Sequence, residues 1–587
     1  MSAVGGRMEL VAPSRSLFAP DYLRIATLFA VSAAIHIWLL SHTAVTARDG
    51  IGYGRYAIDL QTPTDAKAAP KPGDTTPPKT IESALDVIAS KEHHPGYPIA
   101  ICLVAKIVRK VEGSEGKIPN PVHAVQYLQA AQIVSALAAL LCVVPTYLIG
   151  RMLFGRFVGF GAALLFQVLP VPARVTSDAL SEGTYLLALS VAVMLGVRAV
   201  RRPGVGGFLL TGLATGACYL VRPEGLIVAG AVGLTAGWLG LLRRWPRDVT
   251  LGRLAALTIG VALVAGPYCL FIGKLTQKPT PNAILPSFSP REQLMKAGGG
   301  AEAHPTVTVG GPVFADYWEI PPDAGTIWRA KRSIQGVTRE VGKALHYVGL
   351  GLAALGLVFY RRRIVAEPGE CLLIVLAGLY VLLLIAVGMK GYLVPDSGIR
   401  QGYVSERYTL VIVMIGCIFA VASLEPLAAA LASLPKIGRF WSGRFAPMGL
   451  LLTVVAVALP ITLKPLHDHR IGHKYAGEWL AKNVKDEEVY VLIDPFEWAQ
   501  WYSGRALHYI PTDPADAKVK YAILDDKEEH ADAHSRLARM QAAKDIRANG
   551  NSVVVYHWPE DVPVSEAKVK IYKLVCPEGK SSEKPPR

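Results

Sequence analysis

The chain has 587 residues, 51% of them hydrophobic, with a formal charge of +15 and a mean hydropathy of +0.33. Its apolar residues lie in long uncharged runs, not amphipathic stripes, which is the composition of a polytopic membrane protein and excludes an ordinary soluble domain. The basic excess sits in short connectors between those runs, so nucleic acid is not the expected partner.

A bilayer core takes about 20 apolar residues per helix. Such runs occur at 22–40, 126–149, 157–173, 183–200, 206–221, 224–242, 252–273, 344–360, 371–389, 408–424 and 447–463, predicting about 11 transmembrane helices. The stretch SHTAVTARDG after the first run is not a clear cleavage site, so that run is expected to be a retained helix. The connectors RMLFGR, RRPG, LLRRWPRD, YRRRI and KIGRFWSGRF are short and basic, which retains them in the cytoplasm. Their alternation predicts a multi-pass protein of the cytoplasmic (inner) membrane with its amino terminus inside and the tail outside. Outer segments are then 41–125, 174–182, 222–223, 274–343, 390–407 and everything from 464 onward.

Among the outer segments, QTPTDAKAAPKPGDTTPPKT at 61–80 predicts a flexible loop. IAICLVAKIVRKV is too short for a span and predicts an interfacial helix. Residues 276–343, with AGGGAE and EIPPDAGTIW, predict an irregular loop or lid. After a membrane domain over 1–463, the pattern changes to a small α/β domain over 464–587. Its expected helices are HKYAGEWLAKNV and HADAHSRLARMQAAKDIRANG, and its expected strands EEVYVLID, KYAILDD, NSVVVYHW and KVKIYKLV. No nucleotide-binding glycine signature occurs in it.

Several polar residues fall at the outer ends of the spans. Asp49, with Tyr53, Arg55 and Tyr56, follows the first span and is either a solvated loop carboxylate or a general base for an incoming hydroxyl or amine. Asp178 and Glu182 are four residues apart in RVTSDALSEGTYLL; a helix starting near Ser177 would set both on one face. Helix capping and a site role both account for that pair. His93 and His94 precede PGYP, where they serve packing, hydrogen bonding or, with carboxylates from another loop, a metal. Arg222 and Glu224 in YLVRPEGLI are either a local ion pair at a tight turn or groups holding phosphate oxygens. Lys390, Arg400 and Arg407 lie near another outer boundary, against the topological charge bias.

The order of these pieces resembles that of polytopic glycosyltransferases of the C fold (GT-C), bacterial relatives of protein O-mannosyltransferases and of the lipid A aminoarabinose transferase. The matching elements are Asp49 with Tyr53 and Tyr56, HHPGYP, ARVTSDALSE, LVRPEGL and SERY. The resemblance implies a polyprenyl-phosphate sugar donor, with Asp49 as catalytic base and Asp178 as a second acidic catalytic residue. It makes Arg222 and Arg407 phosphate ligands, beside Tyr53, Tyr56, His93, His94, Glu182 and Glu224 as substrate-binding residues. Gly50 departs from the pattern, since many relatives carry a second acidic residue there; the acceptor (protein, lipid or glycan) and a possible divalent metal stay open. The resulting expectation is an inverting transferase acting among membrane lipids, with a transporter or flippase of a lipid-linked substrate and a non-catalytic scaffold as alternatives.

Overall fold

The computed structural model describes residues 21–61, 83–111, 124–242, 245–277, 315–393, 400–434, 443, 445–484, 490–504, 519–525 and 537–575. The proline-rich stretch from residue 62 and residues 278–314 of the second long loop lie outside them.

Helix α1 (Tyr22–Ser41) passes through an irregular segment into α2 (Arg48–Gln61), followed by α3 (Ala84–Ser90) and α4 (Gly96–Val111). The bundle continues with α5 (Ala124–Phe154), α6 (Arg156–Val168), α7 (Pro170–Thr176), α8 (Glu182–Arg201), α9 (Val205–Val221), α10 (Leu226–Leu241) and α11 (Arg247–Ile272). Strand β1 (Ala315–Ile320) precedes α12 (Thr326–Ala344), α13 (Val348–Phe359), α14 (Arg361–Ala366) and α15 (Pro368–Lys390). Strands β2 (Tyr392–Leu393) and β3 (Arg400–Ser405) then lead to α16 (Leu410–Ala422), α17 (Leu424–Ala432) and α18 (Ala446–Thr462). Among the described residues seven helices are long and apolar enough to cross a membrane. Two bent pairs and two shorter apolar helices, α9 and α18, account for the remaining four of the predicted runs.

Close packing of this bundle relies on small residues, as in membranes generally, where apolar burial does not drive helices together. A Cβ on Gly150 of α5 would lie 2.8 Å from the Gly159 Cα of α6. The first turn of α8 sits as tightly on α5: a Cβ on Gly183 would lie 2.5 Å from the Ser135 carbonyl oxygen. A buried polar chain also fixes the segment before α8. His36 of α1 bridges Ser177 Oγ at 2.6 Å and Gln167 Oε1 at 3.0 Å, and Ser32 donates to the same Gln167 oxygen.

Two predicted features differ. Residues 326–343, expected in an irregular loop, lie in the helix α12, which buries Ser333, Gly336, Val337, Glu340, Val341 and Ala344. Its arginines and lysines hid the 3.6-residue period from a search for uncharged runs. The run at 344–360 is likewise broken: His346 and Tyr347 take φ of 56° and 50°, and α12 and α13 meet at a bend of 105°. Strand β3 pairs with β1 and β2, both antiparallel, in a small sheet that leads directly into Arg407.

The predicted α/β unit is present. It comprises α19 (Ile471–Asn483), β4 (Tyr490–Ile493), α20 (Trp498–Tyr502), β5 (Val519–Asp525), α21 (Leu537–Ala548), β6 (Ser552–Trp558) and β7 (Val569–Val575). The sheet order is β4-β5-β7-β6, with β4 and β5 parallel and the other pairs antiparallel. Strand β5 is buried on both faces, and successive side chains separate as the pleat requires. Tyr521 and Ile523 pack with Ala476 and Leu480 of α19. Ala522 and Leu524 pack with α21 in a core that also contains Trp498, Trp501, Ile51, Tyr97 and Ile101. One face of the unit is thus continuous with α2 and α4.

Candidate functional site

Helix α2 brings Asp49 to the site. Its three early glycines lower helix propensity, yet two of them permit contacts that a side chain would block. A Cβ on Gly50 would lie 2.6 Å from the Ala179 Cβ and 2.9 Å from its carbonyl oxygen; one on Gly54 would touch Trp501 at 3.1 Å. The departure at Gly50 therefore has a steric cause: the loop before α8 occupies the space a second acidic side chain would need.

Asp49 is met there by Arg407, whose Nη1 donates to Oδ2 at 2.7 Å. Arg407 Nε lies 3.8 Å from Glu182 Oε1, and this buried nitrogen makes no hydrogen bond among the described residues. The same Glu182 oxygen accepts from Arg222 Nη1 at 2.8 Å, while Arg222 Nε donates to Glu224 Oε2 at 3.4 Å. Tyr408 lies between the two guanidiniums, 4.9 Å from that of Arg407 and 5.6 Å from that of Arg222. Tyr185 packs against Arg222 from another side at 5.4 Å. Asp49, Arg407, Glu182, Arg222 and Glu224 thus form one continuous ionic row drawn from four separate parts of the chain.

The electrostatics follow from this arrangement. Burial pushes the Asp49 carboxyl up, but the Arg407 charge and hydrogen bond, with His93 and Arg48 behind them, hold it below the usual carboxylate range. Burial works against the Arg222 charge too, and Glu224 and Glu182 outweigh it, so the guanidinium stays protonated. Tyr53 is pushed well up by burial and by Glu182, which leaves its hydroxyl a neutral donor. The arrangement combines an ionised, partly buried carboxylate with two desolvated guanidiniums suited to phosphate oxygens.

The other predicted residues divide. Tyr53 hydrogen-bonds Ser181 at 3.0 Å and packs on His93 and Tyr97, 4.7 and 4.9 Å between ring centres, so both Tyr53 and His93 border the row. His94 is buried with Nδ1 on the Tyr219 carbonyl at 2.7 Å and Nε2 on Thr276 Oγ1 at 3.1 Å, which spends both ring nitrogens on fixing the turn before α4. Tyr56 is buried on a different side of α2, near Cys102 and Tyr268. Arg400 is exposed at the start of β3.

Asp178 does not share a helix face with Glu182. Helix α8 begins at Glu182 itself, and Asp178 lies in the short loop between it and α7, which ends at Thr176. Its Oδ1 accepts from the Ala47 and Ala179 backbone at 2.8 and 2.7 Å, and its Oδ2 faces His467 Nε2 at 2.7 Å. These bonds tie three segments together. Among the described residues no group of three or more His, Cys, Asp or Glu side chains could hold a metal ion; the carboxylates here are engaged by arginines and backbone amides.

The sequence did not single out Ser181, Tyr185, Tyr408 or His467. Tyr408 stood within SERY, and His467 within LHDHR just after the last run; a cluster of histidines at a span boundary was the available signal.

Residues 125–268, from α5 to α11, match the family model described as dolichyl-phosphate-mannose-protein mannosyltransferase. This segment carries Asp178, Glu182, Arg222 and Glu224. No curated protein sequence matches the chain. Among solved structures, ArnT from Cupriavidus metallidurans bound to undecaprenyl phosphate superposes with a TM-score of 0.51 at 12% identity, covering 97% of this chain and 100% of that one. This is the GT-C fold. The apo state of ArnT from the same organism gives a TM-score of 0.50 at 12% identity, covering 94% and 98%. The archaeal oligosaccharyltransferase AglB from Archaeoglobus fulgidus gives 0.49 at 11%, covering 90% and 73%. Within this fold the matched family segment supplies the Glu182 and Arg222 half of the ionic row, and Asp49 and Arg407 enter from outside it.

Proposed function

We propose that the chain is an inverting glycosyltransferase that moves a sugar from a polyprenyl-phosphate carrier to an acceptor on the outer side of the cytoplasmic membrane. The observation that carries this reading is the contact between Asp49 and Arg407, with Arg222 joined to it through Glu182. A base and two phosphate-binding cations within one row are the parts such a transfer needs.

In this mechanism Asp49 accepts the proton of the acceptor hydroxyl or amine as that atom attacks the anomeric carbon. The bond from the anomeric carbon to the phosphate oxygen breaks, and the lipid phosphate leaves with the electron pair. Arg407, through its unspent Nε donor, and Arg222 stabilise the phosphate charge. Asp178 orders the loop that presents Glu182. The undecaprenyl phosphate bound to ArnT supports the donor class, and the mannosyltransferase family match supports sugar transfer. The basic connectors support the orientation, with the row and residues 464–587 outside.

The test is mass spectrometry of envelope lipids, glycans and glycoproteins from cells with and without the gene. A hexose or pentose should be missing without it and restored by the parent gene, not by Asp49→Asn. Identical profiles in the two strains would remove the transferase reading.

A further inference from the structure

The C-terminal α/β unit does more than follow the last span. Residues 42–47, the irregular segment that delivers Asp49 from α1 to α2, share four backbone hydrogen bonds with residues of that C-terminal part. Ala44 N donates to the Leu466 carbonyl at 3.0 Å, and Leu466 N to that of His42 at 3.1 Å. Thr46 N donates to the Tyr502 hydroxyl at 3.2 Å, and Trp498 Nε1 donates to the Thr46 carbonyl at 3.1 Å. Ala47 N is held by Asp178, whose other oxygen is held by His467. Thr46 is 2% exposed, so its amide and carbonyl require such partners in place of water.

The Trp498 partner is itself closely packed. Trp498 is buried, stacked on Phe496 at 5.9 Å and covered by the Arg470 guanidinium at 4.4 Å. The contact continues along α2, where Arg55 reaches Glu497 at 3.7 Å and Gly54 lies against the Trp501 ring.

From this we infer that the C-terminal unit is an obligatory part of the site, with Trp498, Tyr502 and His467 as positioning residues that set the Asp49 loop. A general base displaced by about 1 Å costs on the order of 100-fold in rate, so loosening three residues before Asp49 acts on the chemical step more than on donor binding. The kinetic half of this inference rests on the transferase reading above; the structural half does not.

The experiment uses the full-length Trp498→Phe, Tyr502→Phe double variant in lipid nanodiscs; Tyr502→Phe removes only the phenol O–H, and Trp498→Phe removes the indole N–H together with part of the bicyclic ring. Backbone hydrogen exchange of the peptide covering 42–50 should quicken at least tenfold, with peptides of β5 and β7 exchanging at the parent rate. With a lipid-phosphate sugar as donor, kcat should fall at least tenfold while KM for the donor changes less than threefold. His467→Ala, a separate variant, should quicken the same peptide through Asp178. Parent-like exchange at 42–50 in both variants overturns the inference, as does quickened exchange with unchanged kcat. A parent protein that transfers no sugar removes the proposed function, and the exchange result then decides the structural half alone. Faster exchange throughout β5 and β7 would mean that these contacts sustain the unit itself, and would also overturn it.

Discussion

Asp49 and Arg407 stand 358 residues apart in the chain and 2.7 Å apart in the folded molecule. Asp49→Asn preserves the size of the side chain and removes its basic lone pair, so transfer should fall about 100-fold or more. A purified variant with parent-like thermal unfolding and undiminished transfer would take Asp49 out of the chemistry.

The same contact sets a pH dependence. Because Arg407 holds the Asp49 pKa below the ordinary value of about 3.9, the carboxylate persists at neutral pH and is lost only as pH falls through that lowered value. The acid limb of kcat/KM, which reports the free enzyme, should therefore lie below the ordinary carboxylate range. In Arg407→Gln it should move upward, since burial then acts on Asp49 with only His93 and Arg48 opposing it. An acid limb at the same pH in both proteins would show that Asp49 is not the titrating group.

Arg222 reaches Glu182 through Nη1 and Glu224 through Nε, two directions that a single ammonium cannot serve together. Arg222→Lys should weaken lipid-donor binding about tenfold, the scale of one lost charge-assisted hydrogen bond. Donor titration with the parent affinity retained would return Arg222 and Glu224 to a purely structural ion pair.

How much of this the sequence disclosed depends on distance along the chain. The spans were legible because uncharged runs of this length have few other uses, and Asp49, Glu182, Arg222 and Arg407 stood out as charges at their ends. Their assembly into one row was not legible, because periodicity carries no information about pairs separated by hundreds of residues. Helix α2 was hidden by Gly50, Gly52 and Gly54, whose low helix propensity is the counterpart of the close approach to Ala179 and Trp501. The fixed place of Asp178 was misjudged for a related reason: a four-residue spacing implies a shared face only where the helix has already begun.

Gly50 offers a direct test of that close approach. Gly50→Ala places a methyl group into Ala179, so α2 must shift, with an expected cost of about 1–3 kcal/mol and a fall in transfer of at least tenfold. Calorimetry and initial rates measure the two effects. Unchanged values for both would mean that the loop before α8 yields without consequence.

Orientation is tested by chemistry at two exposed positions. In a protein without its native cysteines, one introduced at Pro203 should be shielded from a membrane-impermeant thiol reagent in intact cells, and one at Asp561 should be labelled. The opposite pattern would place the ionic row on the cytoplasmic side.

The partners of Thr46 have one further consequence, for the order in which the molecule is made. They lie 452 and 456 residues downstream, so a ribosome can deliver every span, and each charged residue of the row, while the segment before Asp49 still lacks its last hydrogen bonds. A chain that stops after α18 keeps the membrane helices from α1 to α18 and never receives those bonds. Completion of the base loop thus waits for Trp498 and Tyr502, and a stop before them is felt 452 residues upstream, in the segment before Asp49.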